Sequence, residues 1–159
     1  MKVIFLDFDG VLNSVAYDRE RDMTVNTNID ESRLPLLKQI VDATQAKIVL
    51  STSWRSHWNK NEGDCDGVGL WMNTVFEKYG LEIYGKTPQL HFGAGRKAEV
   101  LSWLEFPPEA VDGFVILDDY ALGWEELGAY LVKTSPYIGR GLEREHVEKA
   151  IDILTKDIK

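Results

Sequence analysis

The stretch KVIFLDFDGVLN drives an apolar run straight into Asp7 and Asp9, one residue apart and followed by Gly10. Residues i and i+2 of an extended segment face the same side, so both carboxylates reach one place. Such a pair repels by about 4 kcal/mol at about 4 Å with an effective dielectric of about 20. A cation, a shared proton or solvent exposure has to relieve it. Two other apolar runs end in reactive groups. KIVL leads into Ser51 and Thr52 of STSWR, and GFVIL leads into Asp118 and Asp119. Between them, GRKAEVLSWL supplies Arg96 and Lys97.

These clusters share one chemistry only if the fold brings their strand ends together. Val3–Leu6 reads as a strand buried on both faces. NSVAYDRERDMTVNTNID has alternating charge and no apolar stripe, and the spacing predicts a loop or flap over 14–28. A helix is expected from Ser32 to Ala46, with Ser32 as N-cap and Pro35 in its first turn. Further helices are expected at Leu70–Tyr79, stopping at Gly80, at Arg96–Leu104, and at Glu143–Leu154. LEIYG and AYLVKT supply a third and a fifth strand. Short strands alternating with helices imply a three-layer α/β fold with a mainly parallel sheet. Ligands of such sheets bind beyond the carboxyl ends of the strands, where strand order reverses. All three polar clusters fall on that edge.

The composition sets bounds. At 159 residues the chain is expected to form a single domain over 1–159. Its 26 acidic and 18 basic residues give a net charge of −8, which argues against general nucleic-acid binding through backbone phosphates. Cys65 stands alone, so no internal disulfide forms, and a reducing cytoplasm is the expected location. VIFL is too short for a signal-peptide core, and no apolar run suits a membrane span. His91 and His146 lack metal-ligand spacing and read as surface residues. No Walker-type loop, zinc pattern or Ser-His-Asp arrangement is present.

From residue 2 to about 135 the chain resembles the haloacid dehalogenase (HAD) superfamily. VIFLDFDGVLN is similar to its first motif, KIVLSTSWR to the second, GRKAEVLSWL to the third and FVILDD to the fourth. Asp9 marks the paired-aspartate phosphatase branch. The resemblance implies a Rossmann-like HAD fold with a five-stranded sheet in the order 3-2-1-4-5. It also implies Mg2+, an aspartyl-phosphate on Asp7, and Asp9 as general acid and base. Asp7, Asp118, Asp119 and the backbone carbonyl of Asp9 would hold the metal. Ser51 would meet a phosphoryl oxygen, with Thr52 as the alternative. Lys97 would offset charge, with Arg96 and then Lys86 as alternatives. Gly10 would let the chain turn beneath the phosphate. Arg55 and Trp54 would wall the phosphate pocket or else pack structurally, and Asn13 would fix the loop. His57 and Trp58 read as ordinary loop residues. Little length remains for a cap, so the cap is expected to be minimal.

The expected function is a Mg2+-dependent phosphomonoesterase, its substrate a phosphorylated small molecule or a nucleic-acid end. The SWR segment resembles small members of the superfamily associated with RNA repair, which points to the nucleic-acid end. One rival is a receiver-like phosphorylation switch, although EIYGK lacks the aspartate such a module carries after its third strand. The other is an inactive binding protein of the same fold.

Overall fold

The computed structural model describes residues 1–21 and 28–156. Its strands are β1 (Lys2–Leu6), β2 (Lys47–Leu50), β3 (Ile83–Lys86), β4 (Gly113–Asp118) and β5 (Leu131–Lys133). They form one parallel sheet in the order β3-β2-β1-β4-β5, so the chain reverses direction across the sheet between β1 and β4. Phe5 pairs with Val49 and Ile116, and Leu6 with Leu50 and Leu117. Three adjacent apolar strands in this register have no polar face, so both faces must be covered.

They are covered unequally. Ile4, Leu6, Ile48, Leu50, Val115 and Leu117 face a layer built from α2 (Leu34–Thr44), α3 (Gly67–Glu77) and α5 (Arg144–Thr155). Val3, Phe5, Val49 and Ile116 face α4 (Gly95–Glu105) and a 3-10 turn at Glu125–Tyr130. On that thinner side the Phe5 ring meets Trp103 edge-on at 5.4 Å. Each large apolar side chain fully buried this way contributes about 1.5–3 kcal/mol relative to exposure.

Local chemistry shifts several expected boundaries. Asp30, not Ser32, caps the entry to α2: its carboxylate accepts from Ser32 N, and a 3-10 turn at Glu31–Arg33 precedes the helix. Asp66 accepts from Val68 N and Gly69 N, so α3 starts at Gly67, earlier than the apolar pattern suggests. Past α3, Gly80 adopts φ +70°, a left-handed conformation that glycine takes without a Cβ clash. Part of the expected 14–28 loop is a short helix, α1 (Val15–Glu20), capped by Ser14 Oγ on Tyr17 N. The 22–27 part of that expected flap lies outside the described residues.

Among the described residues, the stretch between β1 and α2 holds α1 and the 3-10 turn before α2. Between β2 and β3 lie two 3-10 turns and α3, with no sizeable cap. None of the described helices is long and apolar enough to cross a membrane.

Candidate active site

The backbone ladder runs one residue past the strand ends. Asp7 N donates to Leu117 O at 3.0 Å, Ser51 N to Leu6 O at 2.8 Å, and Thr134 N to Asp118 O at 3.1 Å. Sheet pairing thus sets Asp7, Ser51 and Asp118 side by side at one edge before any side chain interacts.

Asp7 and Asp118 are 2% and 1% exposed, and Asp119 lies beside them. One carboxylate oxygen from each of the three lies within 4.8 Å of the others. Burial pushes Asp7 up to about 7, against the pull of Arg96 and with a further push from Asp118. Burial raises Asp118 as well, and Arg96 again opposes it. Phe8 N donates to Asp7 Oδ1 at 2.8 Å and Tyr120 N to Asp118 Oδ1 at 2.9 Å, which sets the two carboxylates' orientation.

Arg96 opens α4 and is the cation of the cluster. Its Nη1 lies 2.9 Å from Asp7 Oδ1 and 3.1 Å from Asp118 Oδ2, and donates to Ser51 O at 2.6 Å. Burial disfavours its charge, but the two carboxylates outweigh that and hold its pKa above the ordinary value. Lys97, the first expectation for this position, instead pairs with Glu125 at 2.9 Å and Glu126 at 3.4 Å. Adjacent residues of a helix point about 100° apart, so only one of the two can face Asp7. Lys86 Nζ donates to Arg55 O and Trp58 O at 3.1 and 2.6 Å, bracing the turn after β2.

The Asp9 carboxylate is outside the three-carboxylate group. Trp54 Nε1 donates to it at 3.2 Å from both oxygens, and Asn13 Nδ2 at 3.1 Å from Oδ1. Gly10, at φ +82°, passes so close to Asp119 that a Cβ there would sit 2.4 Å from its Oδ2. Its N–H goes to Asn13 Oδ1 at 2.8 Å, and its carbonyl accepts from Thr134 Oγ1 at 2.6 Å. Thr134 was not singled out from the sequence. Its place after the fifth apolar strand, on the same edge as the other clusters, is the signal.

Ser51 and Thr52 part company. Thr52 Oγ1 accepts from Trp54 N at 3.3 Å and caps the 3-10 turn Ser53–His57. Ser51 is 2% exposed, and its Oγ has no hydrogen-bond partner among the described residues. A buried hydroxyl without a partner costs about 1–3 kcal/mol, so the Ser51 position favours a ligand that would accept from it. Arg55 turns inward, pairing with Glu99 of α4 and donating to Thr52 O at 2.9 Å.

Trp58 is buried, its Nε1 donating to Asn73 Oδ1 at 2.9 Å, and His57 pairs with Asp66. Cys65 is half-buried against Asn59. His91 is exposed as expected. His146 is not a plain surface residue: it is half-buried, and its Nδ1 accepts from Glu143 N at 3.0 Å at the start of α5.

Beside the carboxylates lies an open cleft of about 680 Å3, whose outer wall carries Tyr120 and Leu122, 63% and 70% exposed. Three carboxylates around one guanidinium leave an excess of negative charge on hard oxygen donors. That donor set fits Mg2+, which prefers a few carboxylates together with water and phosphate oxygens.

A family model described as "HAD domain in Swiss Army Knife RNA repair proteins" matches residues 3–147. Neither a curated protein nor a solved structure matches the chain.

Proposed function

The chain belongs to the haloacid dehalogenase superfamily, within the HAD domains of Swiss Army Knife RNA repair proteins, and from that premise we propose a phosphomonoesterase with Asp7 as nucleophile. The observation that carries this reading is the meeting of the Asp7, Asp118 and Asp119 carboxylates with Arg96 and Ser51 at one sheet edge.

In this mechanism the Asp7 carboxylate attacks phosphorus, the bond to the leaving oxygen breaks, and an aspartyl-phosphate forms. Asp9 gives a proton to that oxygen as it departs. It then takes a proton from the water that attacks phosphorus, so Asp7 is regenerated and inorganic phosphate released. The Ser51 hydroxyl donates to a phosphoryl oxygen. Arg96, rather than Lys97, offsets the charge shared by nucleophile and phosphate. Thr52 and Arg55 act through the shape of the turn after β2, and Gly10 through the close pass of backbone beside Asp119. Mg2+, held by Asp7, Asp118, Asp119 and the Asp9 carbonyl, would neutralise the carboxylates and polarise the phosphoryl group. The free thiol of Cys65 suits a reducing compartment such as the cytoplasm.

A nucleic-acid end is the favoured substrate within this reading, on the strength of the matched family's description. The cleft wall at Tyr120 and Leu122 offers apolar area for the organic part of such a substrate. A net charge of −8 suits recognition of an end better than a grip along the backbone.

Phosphate release from aryl phosphate, from sugar phosphates and from oligonucleotides with a terminal phosphate tests both levels. The expected result is turnover that requires Mg2+, stops in EDTA, and falls to background in Asp7→Asn. Turnover that survives Asp7→Asn overturns the mechanism. A stable aspartyl-phosphate without repeated turnover would favour the phosphorylation switch, and no phosphorylation at all the binding protein.

A further inference from the structure

We infer that Trp54 and Asn13 are a positioning pair for Asp9, one whose contribution to rate grows with the leaving oxygen's need for a proton. The inference rests on the phosphatase reading above. Asp9 stands apart from the charged cluster, held by two neutral donors, the Trp54 indole N–H and the Asn13 amide.

Both donors are themselves fixed. Asn13 is 1% exposed; its Oδ1 accepts from Gly10 N at 2.8 Å and its Nδ2 also donates to Asn28 O at 3.1 Å. The Trp54 ring stands edge-on to Phe8, with centroids 5.6 Å apart, and stacks with Trp71 of α3 at 6.4 Å. Phe8 is the residue between the two aspartates. The side chain that leaves the chain between nucleophile and acid therefore also locates the indole that holds the acid. The Thr52 cap fixes the same indole from its backbone.

A general acid works only within hydrogen-bond reach of the leaving oxygen. A carboxylate on a turn rotates about two side-chain bonds unless something holds it. The paired indole and amide remove that freedom, without the ion pair an arginine would form. The need for such precision depends on the leaving group. An alkoxide is too basic to depart unprotonated, whereas dinitrophenolate leaves as the anion. A fixed proton donor therefore serves an ester of an ordinary alcohol, such as a sugar hydroxyl, and adds little for an activated aryl ester.

The test compares glycerol phosphate with dinitrophenyl phosphate, using the full chain with Mg2+. Four proteins are measured: wild type, Trp54→Phe, the chain with Trp54 replaced by benzothienylalanine, and Asp9→Asn. Benzothienylalanine keeps the bicyclic ring against Phe8 and Trp71 and removes only the N–H. Both Trp54 changes are expected to lower kcat/KM on glycerol phosphate about 10- to 100-fold, with KM little altered. On dinitrophenyl phosphate the loss in kcat/KM should stay below about threefold, since kcat/KM reports the steps through departure of the leaving group and that group departs there without a proton. Equal losses in kcat/KM on both esters in the benzothienylalanine protein, or no loss on either, overturn the inference. Asp9→Asn separates the two levels. If it loses glycerol phosphate selectively while the Trp54 changes do not, the inference alone falls. If Asp9→Asn spares both esters, or wild type hydrolyses neither, the underlying reading falls and takes the inference with it.

Discussion

The two halves of the candidate site are built on different physics. On the β1–β4–α4 side, Asp7, Asp118, Asp119 and Arg96 form a buried cluster of full charges whose protonation depends on its neighbours. On the β2 side, Ser51 and Trp54 offer neutral donors, and the Trp54 indole is fixed by the Thr52 cap and by ring packing. The lesson is that the charged half should govern whether chemistry happens, and the neutral half how well it is aimed.

Apart from loss of the nucleophile itself, the largest expected effect follows from the charged half. Arg96→Ala should lower kcat/KM by about 10²–10³-fold, the scale of losing one preorganised electrostatic contact to the transition state. Lys97→Ala, one residue along, should change it by less than about twofold, because a surface ion pair is worth little. A large effect at Lys97 with little at Arg96 would invert the assignment of the cation.

Next comes pH. The folded Asp7 carboxyl titrates near 7 against an ordinary value of 3.8, so the native state holds a proton that the unfolded chain has already released. Its stabilising contribution is complete below about pH 4 and lost as pH rises through about 7. In EDTA, the Tm of wild type should therefore decline from pH 5 to pH 8 by several degrees more than that of Asp7→Asn, and Mg2+ should suppress the difference. Parallel Tm–pH curves for the two proteins would contradict the burial of that charge.

The smallest effects belong to the neutral half and should run in opposite senses at adjacent residues. Ser51→Ala should cost about tenfold in kcat/KM while holding or raising stability, since it deletes a buried hydroxyl that has no partner. Thr52→Val should cost about 1 kcal/mol of stability through the lost cap. Chemical denaturation beside initial-rate kinetics separates them. Matching profiles at both positions would erase the distinction between the two halves.

The charged half was the more legible in the sequence for the same reason. A strand has a two-residue period and a parallel sheet has one ligand edge, so apolar runs ending in acids point to one place. Asp7 and Asp118 follow from that, whereas the strand order came from the family resemblance. Arg96 against Lys97 depended on the phase of α4, which two adjacent basic residues do not settle. In the structure Arg96 shares one helix face with Glu99, Val100 and Trp103, and the burial of Glu99 and Val100 is what sets that phase. Trp54 was read as either pocket wall or packing, and it is a packed ring whose edge donates to Asp9. That double role depends on Trp71 and Phe8, residues brought to it by tertiary structure rather than by spacing. Helix α1 escaped for a simpler reason: six residues carry too little periodicity to stand out from a polar loop.

The ladder that continues past the strand tips has a consequence for how the protein should fail. Asp7, Ser51 and Asp118 are each tied into the last rungs between neighbouring strands, so none of them can drift while the sheet persists. Catalytic competence and global order should therefore vanish together on heating, in a single step. The Asp7 and Ser51 amides should exchange with hydrogen only when the sheet itself opens.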